Sequence, residues 1–180
     1  MPLPHAPRPV LQASPSARLL IVGQAPGARV NASGLPFDDP SGDRLRFWLG
    51  IGRELFYDRR KLAIVPMGFC FPGYDAKGSD LAPRRECAPR WRARLMGELP
   101  LIETIVCLGS HAQKWHMSHF CRATLTETVR HWREPFHSGV PRVLPLPHPS
   151  WRNSAWLKKN PWLEVELLPV LRREVARLTA

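Results

Sequence analysis

The chain has 180 residues, a length that suits one folded domain with a single core. Its hydrophobic fraction of 44% is ordinary for a globular protein, and no apolar run approaches the length of a membrane span. Lys and Arg outnumber Asp and Glu by 26 to 15, which gives a net charge of +11. This composition argues against a membrane protein and favours a polyanionic partner, although charge alone does not name a function.

The first residues differ in composition from the rest of the chain. Residues 1–17 contain five prolines and lack the apolar block of a secretory signal. They are predicted to form a flexible arm ahead of a single domain over residues 18–180. The four cysteines are too few and too scattered for a disulfide framework, so free thiols in a reducing cytoplasm are expected.

Short apolar runs that end at glycine or proline predict the strands of a buried sheet. Four strands are predicted, at residues 18–23, 62–65, 104–108 and 143–146. Helices are predicted at 41–49 with Ser41 as cap, and at 84–99, 110–117 and 161–178, whereas 24–43 and 66–83 are predicted loops. This alternation indicates an α/β fold, a three-layer α/β/α sandwich with a short, mostly parallel four-stranded sheet.

Two loops rich in glycine and proline follow the first and the fourth predicted strand. The first reads Gly23-Gln24-Ala25-Pro26-Gly27 and continues through Gly34-Leu-Pro-Phe37 to Asp39-Pro-Ser-Gly-Asp43. The second reads Pro147-His148-Pro149-Ser150-Trp151-Arg152-Asn153. Because ligands of parallel sheets bind beyond the carboxyl ends of the strands, folding can bring these distant loops to one site.

Together the two loops resemble the two signature motifs of the uracil-DNA glycosylase superfamily. The first is similar to the family's water-activating and base-pocket loop, and the second is similar to its His-Pro-Ser loop, which wedges into the minor groove. The motifs stand in the expected order, and the resemblance extends over nearly the whole chain from Arg18. It implies an enzyme that cuts a damaged base from its sugar after flipping the nucleotide out of the duplex.

The reaction places positive charge on the sugar and negative charge on the departing base. His148 resembles the leaving-group histidine of the family, and the alternative is a loop histidine satisfied by backbone. Phe37 occupies the place of the aromatic that stacks on the base, and a plain core phenylalanine is the alternative. The implied base pocket consists of Gly23, Gln24, Ala25, Pro26, Gly27 and Phe37.

The water-activating residue departs from the commonest family patterns. Most members carry Asp or Asn where this chain has Ala25, and the iron-sulfur branch carries Glu where it has Gln24. A further branch has alanine at that third position and takes an Asp from a later Asp-x-Ser-Gly-Asp segment. Asp39 begins such a segment, although the stretch that precedes it is one residue shorter than in that branch. Asp39 is predicted to activate water or stabilise the sugar cation. A structural Asp turn is the rival reading, and Asp38 is interpreted as solvent-facing.

Two further departures concern base choice and cofactors. Many relatives read uracil with an Asn at the end of the second strand, where this chain has Val65-Pro66-Met67 and no amide. Broader action on hypoxanthine or xanthine is therefore predicted. Cys70 and Cys87 resemble two cysteines of the iron-sulfur branch, but no earlier Cys pair accompanies them. No cluster and no other cofactor are therefore expected. The histidines around residues 111–121 match no zinc spacing, so no metal is expected either.

The predicted DNA-facing surface lies in and after the second loop. Trp151 or Arg152 would fill the gap left by the flipped base, while Ser150 and Asn153 would bind phosphate. Packing of Trp151 against the last helix is an equal alternative. Lys158 and Lys159 are also predicted to contact phosphate. A basic helix that could touch the DNA backbone contains Arg84, Arg85, Arg90, Arg92 and Arg94. A solvated face is the favoured interpretation of most of that helix.

The sequence thus predicts a monofunctional DNA glycosylase, a cytoplasmic monomer that acts on DNA containing a damaged or deaminated base. No lysine in either loop is placed to form a Schiff base, so water is the expected nucleophile. A damaged-DNA binding module of weak or no activity is the first rival, because Gln24 and Ala25 lack the usual acidic groups. An enzyme that acts on free nucleosides or nucleotides is the second.

Overall fold

The structure is a computed structural model that describes residues 5–180. In this range four strands form one sheet in the order β2-β1-β3-β4, and every neighbouring pair is parallel. The strands are β1 (Leu19–Val22), β2 (Leu62–Ile64), β3 (Thr104–Leu108) and β4 (Arg142–Leu146). The predicted α/β class and four-stranded sheet are confirmed, and the sheet is wholly rather than mostly parallel.

The helices connect the strands and follow the last one. They are α1 (Ala28–Ser33), α2 (Pro40–Leu49), α3 (Arg53–Phe56), α4 (Ala93–Gly97), α5 (Ser110–His116), α6 (Leu125–Arg130), α7 (Arg133–His137), α8 (Ser154–Lys159) and α9 (Leu168–Thr179). A π-helical turn at Ala88–Arg92 precedes α4, and another at Leu163–Leu167 precedes α9. Helix α1 lies in a predicted loop, and α3, α6, α7 and α8 were not predicted because four to six residues are too short for a periodic pattern.

The sheet is covered on both faces, and alternate strand residues point to opposite layers. Leu19 and Ile21 of β1 pack with α2, α6, α7 and α9, whereas Leu20 and Val22 pack with α4 and α5. All four side chains are fully buried. An apolar run is therefore required along the whole strand, and this explains why these strands can be recognised from sequence.

The proline-rich segment is not a loose arm over its described part. Val10 is buried, and its N–H donates to the carbonyl of Phe69. Gln12 exchanges two backbone hydrogen bonds with Ile64 at the free edge of β2, and its side-chain amide donates to two further carbonyls. The segment thus covers a sheet edge that would otherwise expose unpaired backbone groups. Of the predicted arm, residues 1–4 lie outside the described residues.

The predicted loop after β2 contains a hairpin over residues 73–81. Its turn is organised by Asp75, whose carboxylate accepts hydrogen bonds from the backbone of Lys77 and Ser79. The N–H of Leu81 donates to the carbonyl of Gly73, and Tyr74 pairs with Asp80 in an antiparallel bridge. The hairpin projects beside the carboxyl ends of the strands, where its Asp80 reaches the site described below.

The structure bears on the membrane span, the disulfides and the metal site that were considered from the sequence. Within residues 5–180 no helix has the length and apolar character that a bilayer crossing requires. The four cysteines are free thiols, and Cys107 on β3 is fully buried, which raises the pKa of its thiol. In the described part of the chain, no three His, Cys, Asp or Glu residues converge as a metal site.

Candidate active site

A cleft of about 630 Å³ opens at the carboxyl ends of the strands. It lies where the chain order reverses, since β2 and β3 flank β1 on opposite sides, and parallel sheets commonly bind ligands at such a point. The lining includes all but the two lysines of the predicted site residues: Gly23, Gln24, Ala25, Pro26, Gly27, Phe37, Asp39, His148, Ser150, Trp151, Arg152 and Asn153. Folding therefore brings the two predicted loops together, while the roles of their residues stay predictions.

The first loop is held in place by close backbone packing around Phe37. This residue has a φ of 54°, a left-handed conformation that is uncommon for a bulky side chain. A Cβ at Gly42 would lie 1.8 Å from the Phe37 carbonyl oxygen, and a Cβ at Gly23 would lie 3.0 Å from the Phe37 ring. A glycine is thus required at position 42 by the Phe37 backbone, and the glycine at position 23 leaves room for the end of the Phe37 ring.

Asp39, rather than the predicted Ser41, caps α2. Its Oδ1 accepts a hydrogen bond of 2.9 Å from the N–H of Gly42, and Pro40 takes the first helical position. An Asp cap and a Pro at that position both favour a helix start. Both interpretations of Asp39 are therefore compatible: one carboxylate oxygen is used structurally, and the residue still lines the cleft.

His148 stands opposite Phe37, with 6.5 Å between the ring centroids. Burial lowers the pKa of the imidazole, and the negative charge of Asp39 opposes this shift only in part. The side chain is thus neutral at pH 7, so one ring nitrogen can donate a hydrogen bond and the other can accept one. Asn153 supports the loop by donating from Nδ2 to the His148 carbonyl at 2.7 Å.

Arg44 connects the two loops, a role that sequence reasoning missed. It lies on α2, five residues after Asp39, and its guanidinium donates to the Ser150 carbonyl at 2.8 Å and to Ser154 Oγ at 3.1 Å. One side chain thus joins the helix that Asp39 caps to the loop that carries His148. The sequence signal was weak, because an arginine on a helix next to an acidic cap is usually read as a surface charge.

Asp80 is a second residue that was missed. It lines the cleft from the hairpin over residues 73–81, and a Cβ at Gly27 would lie 3.3 Å from its Oδ2. Burial raises the pKa of its carboxyl, Arg152 lowers it and Asp39 raises it. Nothing in the sequence marked this residue, because the predicted loop over 66–83 gave no indication that it folds back over the strand ends.

The second loop presents Trp151 and Arg152 to solvent at the rim of the cleft. Trp151 is 72% exposed, which excludes its packing against the last helix, and Arg152 lies over its ring at 5.7 Å. Ser150 caps the short turn Trp151–Asn153 by accepting from the N–H of Arg152. Lys158 and Lys159 are exposed at the end of α8 but do not line the cleft.

Arg92 does not belong to the DNA-facing surface that its basic segment suggested. It is fully buried and donates to the carbonyls of Val65 and Pro66, and its Nε donates to His116. Burial lowers the pKa of Arg92 to about 10 and that of His116 to about 3. His116 is thus the neutral acceptor of this pair rather than a zinc ligand.

Arg92 also affects the strand end where many relatives of the resembled family carry an Asn. The carbonyls of Val65 and Pro66 there accept hydrogen bonds from Arg92, while Met67 is buried. The N–H of Met67 donates to the Gly23 carbonyl and that of Gly68 to the Gln24 carbonyl. This strand end therefore fixes the first loop and offers no amide side chain to a base.

One comparison with known proteins bears on this geometry. A family model described as the Uracil DNA glycosylase superfamily matches residues 11–172 of the chain. The match includes both loops, the hairpin and every strand, and it begins within the segment that was predicted to be an arm. Because it extends over most of the 180 residues, the chain belongs to the uracil-DNA glycosylase superfamily.

Proposed function

We propose that this chain is a monofunctional DNA glycosylase, in which water hydrolyses the N-glycosidic bond of uracil or another deaminated base flipped out of DNA. The superfamily consists of DNA glycosylases, which are hydrolases that act on DNA. The observation that carries the proposal is the convergence of Phe37, Asp39 and His148 in one cleft at the strand ends. A cleft of about 630 Å³ is large enough for a flipped nucleotide.

In the proposed complex the base stacks against the Phe37 ring and lies beside the backbone of Gly23 to Gly27. Neutral His148 donates a hydrogen bond to a base oxygen, which stabilises the negative charge that develops there. The Asp39 carboxylate offsets positive charge on the sugar or positions water. These interactions strengthen as the bond breaks, and this is what accelerates the reaction.

The absence of an amide side chain at Val65, Pro66 and Met67 supports a broad choice of base. Uracil, hypoxanthine and xanthine are products of deamination, and each carries a carbonyl oxygen that can accept a hydrogen bond from His148. We therefore propose activity on more than one of them. Hydrolysis needs only water, so no cofactor is required, and the free thiols suit a reducing cytoplasm. A monomer is also proposed.

The test is release of base from labelled duplexes that contain one uracil, hypoxanthine or xanthine, read out by strand cleavage in alkali. His148→Ala is expected to lower the rate about 100- to 1,000-fold, the usual effect of losing one donor at a developing anion. Asp39→Asn is expected to lower it by about 100-fold or more. Because Asn also caps helices well, this variant removes the charge and keeps the cap.

A matched control is available in the neighbouring carboxylate. Asp38 pairs with Arg53 at 3.0 Å and does not line the cleft, so Asp38→Asn makes the same change of charge outside the site. It should leave base release close to that of the wild type. Tight binding of the wild type to the damaged duplexes without any release would contradict the proposal and favour a damage-binding module. Turnover of free nucleosides but not of DNA would favour a nucleoside enzyme.

A further inference from the structure

The cleft contains a second carboxylate that is held there by the fold. Asp80 follows the turn of the hairpin over residues 73–81, and its backbone pairs with Tyr74 across that hairpin. Gly27 leaves room for the side chain, because a Cβ there would lie 3.3 Å from Asp80 Oδ2. The side chain is thus placed between the hairpin and the end of the Gly23–Gly27 loop.

The hairpin is also joined to the second loop. Arg152 Nη2 donates a hydrogen bond of 3.3 Å to the Oγ of Ser79, the residue that precedes Asp80. The hairpin, the first loop and the His148 loop therefore meet around the same opening. Asp80 at this junction lines the same cleft as Phe37, Asp39 and His148.

The two carboxylates of the cleft differ in their hydrogen bonds. Asp39 Oδ1 accepts a hydrogen bond from the N–H of Gly42 at the start of α2. Among the described residues, no group donates a hydrogen bond to the side chain of Asp80. Both oxygens of Asp80 are therefore free to accept a proton or a water molecule.

The surroundings of Asp80 influence its protonation. The charged or titratable groups that line the cleft with it are Tyr74 on the same hairpin, Asp39 at the start of α2, Arg29 on α1, Arg152 in the rim turn and His148 beyond β4. Burial raises the pKa of Asp80, Arg152 lowers it and Asp39 raises it, with a net rise. A raised pKa makes a carboxylate a better proton acceptor near neutral pH.

We propose that Asp80 is the general base that takes a proton from the attacking water, and that Asp39 is a fixed negative charge that stabilises the sugar cation. This inference rests on the proposed glycosylase function and divides its work between two carboxylates. It also accounts for Ala25 and Gln24, because the chain then needs no acidic group within the Gly23–Gly27 loop.

The step balances as a hydrolysis. The water oxygen forms a bond to C1′ of the deoxyribose while the bond from C1′ to the base nitrogen breaks. The electron pair of that bond leaves with the base, whose oxygen accepts a hydrogen bond from His148. One water proton goes to the Asp80 carboxylate, and it is then passed to the base anion or to solvent.

The test compares Asp80→Asn with Asp75→Asn under single-turnover conditions. Asp75 belongs to the same hairpin but does not line the cleft, and an Asn can still accept the turn hydrogen bonds, so the control makes an equal change of charge. We expect base release by Asp80→Asn to fall about 100- to 1,000-fold, within the range for loss of a positioned proton acceptor. Asp75→Asn should stay close to the wild type.

Two readouts separate catalysis from binding and folding. Affinity for duplex DNA carrying 2′-fluoro-2′-deoxyuridine, which resists cleavage, should be retained or increased in Asp80→Asn. The acidic limb of the rate against pH should be present in the wild type and in Asp39→Asn but absent in Asp80→Asn, because a general base must be deprotonated. Added formate should partly restore base release to Asp80→Ala, since a small carboxylate can replace the missing base.

The outcomes discriminate clearly. An Asp80→Asn protein that releases base within about threefold of the wild type, or that loses DNA binding as strongly as activity, overturns the role of Asp80. An acidic limb that disappears in Asp39→Asn instead assigns the base to Asp39. Failure of the wild type to release any base overturns the proposed function itself, and this result is distinct from an effect confined to Asp80.

Discussion

The loop after β1 and the loop after β4 face each other across the cleft, but their side chains are fixed by different means. In the first, the Phe37 backbone packs against Gly42, which admits no Cβ, and Asp39 is fixed by the helix it caps. In the second, Trp151 and Arg152 project into solvent. The residues proposed to handle the base are thus part of the fold, whereas those proposed to touch DNA lie on top of it.

This difference predicts two kinds of variant. Changes in the first loop should damage stability and activity together, because backbone packing sets the pocket. Changes at the exposed rim should affect DNA binding with little effect on stability, since few contacts are lost there. The following substitutions test this division, beginning with the largest expected effect.

Gly42→Ala should be the most damaging. Its Cβ would lie 1.8 Å from the Phe37 carbonyl oxygen, so the start of α2 or the Phe37 backbone must move. We expect a loss of about 3 kcal/mol in the free energy of unfolding, at the upper end for overpacking, together with loss of base release. Chemical denaturation and the duplex assay measure the two effects. Gly52→Ala is the control, because a Cβ there meets nothing within 4 Å.

Arg44→Ala tests the connection between the two loops. It removes the hydrogen bonds to the Ser150 carbonyl and to Ser154 Oγ, so the His148 loop is no longer tied to the helix that Asp39 caps. We expect kcat to fall by about 10- to 100-fold, because small errors in position are costly in catalysis. Arg44→Lys should recover only part of the loss, since one ammonium group cannot reproduce both bonds in the same geometry. Equal activity of all three proteins would show that the loops are positioned independently.

Trp151→Ala tests the exposed rim. The side chain is largely in solvent, so the melting temperature should hardly change. If the indole replaces or stacks on a base, its removal costs about 1 to 3 kcal/mol of binding, which corresponds to a loss of about 5- to 150-fold in affinity for damaged duplex. Fluorescence anisotropy on a labelled duplex gives this affinity. Unchanged affinity combined with a lower melting temperature would reverse the comparison and assign Trp151 a structural role.

Replacing Lys158 and Lys159 with alanine should have the smallest effect. Both are exposed at the end of α8 and outside the cleft, so they would contribute only contacts to phosphate. Each lost contact should reduce the slope of log affinity against log salt by about 1, with a weakening of affinity by a few fold that does not depend on sequence. A salt titration of DNA binding measures the slope. An unaltered slope would place these lysines away from the DNA.

Several elements could be predicted because the physical cause is local. The strand at 104–108 was predicted with its observed bounds, since a strand buried on both faces must be apolar along its length. The two loops could be recognised because they resemble the two signature motifs of the superfamily, each within a few consecutive residues. The π-helical turn before α4, by contrast, gives no periodic signal, and the predicted helix at 84–99 is shorter in the structure.

Other features depended on residues that are distant in sequence. The edge pairing of Gln12 with Ile64 joins positions 52 residues apart, and the burial of Arg92 depends on His116 and on the end of β2. From composition, the segment that contains Gln12 was predicted to be a flexible arm, and Arg92 was interpreted as a charge on a basic surface helix. Their environment is produced by long-range packing, which local sequence patterns do not encode.

By itself the sequence determined the strand core, the order of layers and the two loops that carry the superfamily motifs, because burial and turn geometry act within a few residues. The tertiary structure alone decided the position of Asp80 in the cleft, the bridge made by Arg44 and the exposure of Trp151. The reason is physical: whether a polar side chain lies at a site or on a surface depends on which distant backbone folds beside it, and a carboxylate in a loop looks the same in both cases.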